Sequence, residues 1–272
     1  MKLSFTLLLA TFFFAFAHGQ SRQDTATRKS SKDDKKEERR QKINNLIKQA
    51  EEGVLVYRKH SIFGIQGRTN GYGGFFELGK MKSNRKTNIY RLDITEIKHQ
   101  KEEKSANPGL GFLSNPFIYG KINHFYQATL GFGQQYILGQ KGNKNGVSVS
   151  AVFNGGLALG LLRPYYIEVR DPANGEDKII KYSEANRSLF LGTSIIGGGG
   201  FGKGFNEMKI KPGAFAKTAL RFDYGRFNEV VSGIEIGLSI DIYGSKIPIM
   251  ADQKEKQMFF QGYIAMLFGR RK

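Results

Sequence analysis

From residue 54 onward the side chains alternate between apolar and polar with a period of two, and the alternation is sustained over runs of ten residues and more. The clearest run is 231–243, where Ile234, Ile236, Leu238, Ile240 and Ile242 fall on one face and Gly233, Glu235, Gly237, Ser239 and Asp241 on the other. Successive side chains of a β-strand point to opposite faces, so this period fixes extended structure with one apolar side. Equivalent patterns mark eight strands, over 58–69, 71–82, 87–98, 120–138, 146–167, 212–226, 230–243 and 257–269. Their apolar faces carry, among others, Phe63 and Ile65, Phe76 and Leu78, Tyr90, Leu92 and Ile94, Leu130 and Phe132, Leu220 and Phe222, and Phe260, Ile264 and Met266. Soluble strands average five to six residues, whereas a tilted strand needs about 9–11 to cross a bilayer.

A soluble sandwich hides its apolar face, while a membrane barrel turns that face to lipid and encloses the polar one. The connections favour the barrel. Thr69-Asn70-Gly71 is a tight-turn signal, 83–86, 141–145 and 226–228 are short turns, 99–119 and 168–211 are long loops, and 244–256 is intermediate. An even strand count lets the sheet close with both ends on one side. The expected fold is therefore all-β: an eight-stranded antiparallel transmembrane β-barrel over 53–272, with the N-terminus periplasmic and the long loops outside. On this reading Ile236 and Leu238 face lipid, and Ser239, facing the lumen, tolerates arginine.

Lys2 is followed by an apolar run to Ala17 and then by Ala17-His18-Gly19, which reads as a signal peptide over 1–19 with cleavage before Gln20. Residues 20–52 form a charged periplasmic arm that cannot bury a core. Its first half is expected to be disordered. From Glu37 to Glu52 an amphipathic helix is expected, with Ile43, Leu46, Ile47 and Ala50 on one face, either folding back onto the body or serving as a partner-binding surface. The absence of cysteine excludes disulfides, thiolate metal sites, a cysteine nucleophile and a lipoprotein anchor.

The signal peptide, eight alternating strands with glycine–aromatic punctuation, and the aromatic last strand Phe259-Phe260-Gln261-Gly262-Tyr263-Ile264-Ala265-Met266-Leu267-Phe268 together resemble the small bacterial outer-membrane β-barrel superfamily, including OmpA-transmembrane-like and PorT-like proteins. The pattern spans about 54–270 and continues here into Gly269-Arg270-Arg271-Lys272. The resemblance implies residence in a Gram-negative cell envelope. The PorT-like side of it also implies a place in a secretion or assembly machine.

Little in the sequence points to chemistry. The glycine run 197–204 matches a dinucleotide fingerprint only formally and has Gly204 where a phosphate loop needs Ser or Thr. It reads instead as a flexible loop segment, with Leu189, Phe190, Leu191, Ile195 and Ile196 either entering the barrel mouth or lying on the outer leaflet. His60, His99 and His124 show no metal spacing. Glu102, Glu103 and Ser105 follow His99, but as sequence neighbours they do not make a triad. No catalysis, metal or cofactor is expected.

The candidate site is a set of inward charges: Arg68, Glu77, Arg91, Asp93, Lys217, Arg221, Asp223, Glu235 and Asp241. An eight-stranded barrel is only wide enough for side chains, so these groups either pair into a closed network or line a narrow solute path. The chain carries a net charge of +18, and residues 53–272 hold 31 basic against 17 acidic residues. Anionic outer-membrane lipid and lipopolysaccharide are the expected partners, with envelope proteins at the arm and no nucleic acid. The expected role is structural or interactive, the alternatives being a porin-like solute channel, an assembly-machine subunit and an outer-leaflet hydrolase.

Overall fold

A computed structural model describes residues 35–41, 43–44, 57–106, 115–143, 145–226 and 229–272. The signal peptide lies outside the described residues, as do Leu46, Ile47 and Ala50 of the arm. Residues 35–41 and 43–44 are helical and exposed.

The barrel consists of β1 (Lys59–Arg68), β2 (Gly71–Ser83), β3 (Lys86–Ile97), β4 (Asn123–Gly139), β5 (Ser148–Pro164), β6 (Lys209–Asp223), β7 (Val230–Ile247) and β8 (Lys256–Arg271). Each strand pairs antiparallel with its neighbours in sequence, and β1 pairs with β8 through Phe63 opposite Phe268, which closes the ring. Closure leaves no sheet edge unpaired, the condition a β-structure must meet in hydrocarbon. Strand lengths run from 10 to 18 residues, each enough to cross the membrane. The short turns after β2, β4 and β6 gather at one end, and the connections after β3, β5 and β7 lie at the other together with the tight turn at Thr69-Asn70.

The outer wall is apolar. Ile65, Ile94, Leu130, Leu157, Ile236, Phe260 and Ile264 all point away from the lumen, with Leu157 69% and Leu130 63% exposed. Tyr136 and Tyr224 stand outward toward the short-turn end and Tyr72 and Tyr126 toward the other, where aromatic rings bridge apolar chains and polar headgroups. An apolar outside around a charged inside is the inverse of a soluble protein. The fold is a membrane-spanning barrel.

Three features differ from the sequence reading. The inward face is not uniformly polar: Ile62, Phe75, Ile89, Val152, Ala219, Val231, Ala265 and Leu267 form one internal apolar cluster and Phe125, Ala158, Leu162, Phe215, Tyr243 and Phe259 belong to another. The long connection after β5 is also ordered. Its segments Ile195–Gly198, Tyr166–Arg170 and Asp177–Lys181 make a three-stranded sheet over a small core of Phe117, Ile167, Val169, Phe190 and Ile195. Phe190 and Ile195 therefore pack within the loop rather than in the barrel mouth or on the leaflet. The glycines serve this packing: a side chain at Gly197 would meet the Asn115 carbonyl at 2.7 Å, and Gly204 has φ 84° beside the Pro164 carbonyl. The third difference is Ser239, which is 2% exposed, its Oγ accepting hydrogen bonds from Arg68 and Gln261. Arginine there would add a cation beside Arg68 in filled space, so the tolerance expected of Ser239 does not hold.

Ile236→Arg, placing a cation on the lipid face, is expected to cost about 2–4 kcal/mol if it lies at the midplane. Lys203→Ala on the rim loop should cost almost nothing. The heat-modifiable folded band on a gel, followed through a urea refolding series, measures both; equal refolding of the two variants would overturn the lipid-facing assignment.

Candidate functional site in the barrel lumen

Two hairpins on opposite walls build the centre. Antiparallel register sets Glu77 of β2 opposite Arg91 of β3, and Arg221 of β6 opposite Glu235 of β7. In the ring order, β4 and β5 separate the pairs on one side, and β1 and β8 on the other. The side chains then exchange partners across the lumen. Arg221 donates from Nη1 to Glu77 Oε1 at 2.7 Å and from Nη2 to Glu77 Oε2 at 2.8 Å, while Arg91 Nη1 donates to Glu235 Oε1 at 2.7 Å. Arg221 also donates to Glu235 Oε2 from Nη2 at 2.6 Å, and Arg91 stands 3.7 Å from Glu77. Each guanidinium thus bridges both carboxylates, and each carboxylate both guanidiniums.

Three further side chains complete the layer. The Tyr263 hydroxyl donates to Glu235 at 2.9 Å, the His60 ring lies 3.1 Å from Glu77, and Arg91 stacks 3.5 Å over the Phe75 ring. A side chain at Gly79 would collide with the His60 ring, so glycine there makes room for it.

Toward the long-loop end, Lys217 donates to Asp93 at 2.8 Å, and Asp93 also receives Arg91 Nε and Gln66 Nε2. Beyond that layer Arg68 binds Asp241 at 2.9 Å and Gln127 at 2.8 Å. At the short-turn end Asp223 accepts from Arg271, and Lys141 approaches it at 3.7 Å. The structure therefore brings together eight of the nine candidate charges in stacked layers from Glu77 to Asp241 and sets Asp223 apart. The layers balance: Glu77, Glu235 and Asp93 against Arg91, Arg221 and Lys217, then Arg68 against Asp241.

Sequence reasoning missed several members. Arg271 sits in the tail beyond the last aromatic residue, yet it continues β8 and points inward. Lys141 comes from a turn. Gln66, Gln127 and Tyr263 lie on the polar faces that the two-residue period assigns, and His60 shares the parity of Gln66, but a site read from charges alone leaves them out.

The mouth is closed by a strap. After β7, Pro248–Ala251 crosses to the opposite wall, where Ile122 N donates to Ile249 O at 2.8 Å and Ala251 N to Gly120 O at 2.7 Å. Ile247, Ile249 and Met250 of this strap pack onto Phe125, Tyr243 and Phe259.

Near the rim, His99, Glu102 and Ser105 do not form a triad: Glu102 accepts from the backbone N of His99 at 2.9 Å and not from its ring. The His99 ring accepts from Lys101 N, Glu102 binds Lys121 at 2.6 Å, and Ser105 pairs with Phe117. Burial pulls the Lys121 ammonium below its ordinary range and the Glu102 carboxylate opposes that shift. The structure instead juxtaposes His124 with Glu96 at 3.7 Å, with the Tyr72 hydroxyl donating to Glu96 at 2.6 Å. Among the described residues no three His, Cys, Asp or Glu are grouped to hold a metal.

No family model matches the chain, and no curated protein does. Solved structures similar to it include Ail, the attachment invasion locus protein of Yersinia pestis, crystallised with the heparin analogue sucrose octasulfate, at 10% identity and TM-score 0.37, covering 79% of this chain and 99% of that one. The N-terminal β-barrel domain of Pseudomonas aeruginosa OprF matches at 10% identity and TM-score 0.36, over 79% and 99%. Neisserial surface protein A matches at 9% identity and TM-score 0.38, over 79% and 96%.

Arg221→Ala would leave Glu77 and Glu235 short of a counter-charge in a closed interior, and removing one member of a buried pair typically costs about 3–5 kcal/mol. Arg221→Met combined with Glu77→Gln should recover part of that loss, because no carboxylate then lacks its cation. Urea refolding midpoints of the single and double variants check the pairing, and a double variant no more stable than Arg221→Ala would contradict it.

Proposed function

We propose that this protein is an integral outer-membrane barrel with a structural or interaction role, its lumen sealed, its N-terminus in the periplasm, and its long connections and arm serving as contact surfaces. The observation that carries this reading is the filled lumen: a neutral lattice of bridged charges lies between two apolar clusters, with a hydrogen-bonded strap across one mouth. A conducting path needs lining groups that are free to bind a passing ion and to release it. Here Glu77, Glu235 and Asp93 are each held by several fixed donors. The asymmetry between ends supports the contact role, since the ordered material lies at one end of the barrel and the other carries short turns. The basic surplus supports attraction to an anionic leaflet, and Lys98 over Tyr72 and Lys86 over Tyr136 set cations beside the rings at both girdles.

Two measurements test the proposal. The full-length protein should fractionate with the outer membrane, and the purified barrel in planar bilayers should leave the current at the baseline of the protein-free bilayer. Deleting 248–251 should not raise the current, because the charge lattice lies below the strap. Steady ion-selective steps from the wild-type protein would replace this reading with the solute channel.

A further inference from the structure

Between the strap and the β5–β6 wall, a vestibule of about 690 Å³ opens at the long-loop mouth. Leu162 and Pro248 contribute apolar lining, Tyr182 stands in the wall, and four lysines surround the space: Lys181, Lys209, Lys211 and Lys246. Lys209 and Lys211 share the inward parity of β6 with Lys217 and Arg221, so they continue the line of lumen charges upward into the mouth. The difference between the levels is the balance. Below, every inward cation has a carboxylate. Among the described residues of the vestibule, Glu207 pairs with Lys181 and also attracts Lys209, while Lys211 donates to the Ser245 hydroxyl at 2.8 Å and Glu255 is the remaining acid. Four lysines against two carboxylates around one concavity leave a net positive charge that a bound anion would balance.

The size and chemistry limit the occupant. The volume falls within the range of small-molecule sites, roughly 300–1,000 Å³, and lysines act as adaptable point charges suited to phosphate or sulfate groups. The tyrosine ring and the proline and leucine surfaces suit the carbon faces of a sugar. We propose that the vestibule is a binding site for a compact saccharide or cyclitol bearing several phosphates or sulfates. The molecule is held at the mouth and does not pass, since the strap and the apolar layer with Phe125 and Tyr243 close the way below. This rests on the sealed-lumen reading only in that last respect; the site itself stands on its lysines.

The test uses the full-length protein in phosphatidylcholine vesicles, titrated calorimetrically with inositol hexakisphosphate and with uncharged inositol as the control. Binding of the hexakisphosphate alone is expected, weakening as salt passes about 0.1 M, where the Debye length is about 10 Å. The variant Lys209→Ala/Lys211→Ala/Lys246→Ala should lose at least about tenfold in affinity, or about 1.4 kcal/mol, while keeping its heat-modifiable band. Lys80→Ala/Lys82→Ala/Arg85→Ala at the short-turn end removes the same charge and should bind like wild type. Equal losses in the two variants, or no binding to the wild type, would overturn the site while leaving a baseline conductance result intact. A repeat in vesicles containing lipopolysaccharide separates the sources: competition assigns the anion to membrane-borne sugar phosphates, and unchanged binding assigns it to a free solute.

Discussion

A charge enclosed by a barrel has no water to retreat to, and the double bridge of Arg91 and Arg221 with Glu77 and Glu235 is how this protein meets that condition. Each of the four groups is buried and each reaches across the lumen as well as along its own hairpin. Because the bridge ties β2 and β3 to β6 and β7, it fixes the separation of opposite walls, a job an apolar core performs in a soluble protein. Such bridges add little net stability compared with a well-packed apolar filling, but they penalise every arrangement in which a partner is misplaced. A strand slipped by one residue would send Glu235 to the lipid and leave Arg91 and Arg221 short of an acceptor.

The remaining layers follow from where that bridge sits. Lys217 and Asp93 extend it, and Arg68 with Asp241 forms a second, smaller pair nearer the mouth. Aromatic side chains take over where the charges stop: Phe125, Tyr243 and Phe259 contact one another in tilted and edge-on pairs. Above them the strap closes the opening with backbone hydrogen bonds. Between the strap and the β5–β6 wall lysines outnumber carboxylates, and there they face open space.

The rim sheet illustrates a different economy. A loop of some forty residues without structure of its own is rare in a compact domain, and this one avoids that state by packing Phe190 and Ile195 against Ile167 and Val169. Its glycines permit backbone to lie against backbone. Arg163 ties the loop down, donating to the Phe201 carbonyl at 2.9 Å with its guanidinium over the Phe205 ring.

The sequence alone determined the strands, their boundaries to within a few residues, the face each turns outward and the inward position of the nine charges, because a two-residue period makes face a local property of the chain. It could not determine partners. Which carboxylate meets Arg221 depends on ring order and on the reach of a side chain across the lumen, neither of which is written in any one strand. The inward aromatics were hidden for a related reason: in Phe75-Phe76 and Phe259-Phe260 both faces carry the same residue type, so hydropathy does not distinguish the ring that meets lipid from the one that plugs the lumen. The strap, the rim core and the role of Arg271 were decided by tertiary structure, since each depends on contacts between segments far apart in sequence that only closure of the barrel brings within reach.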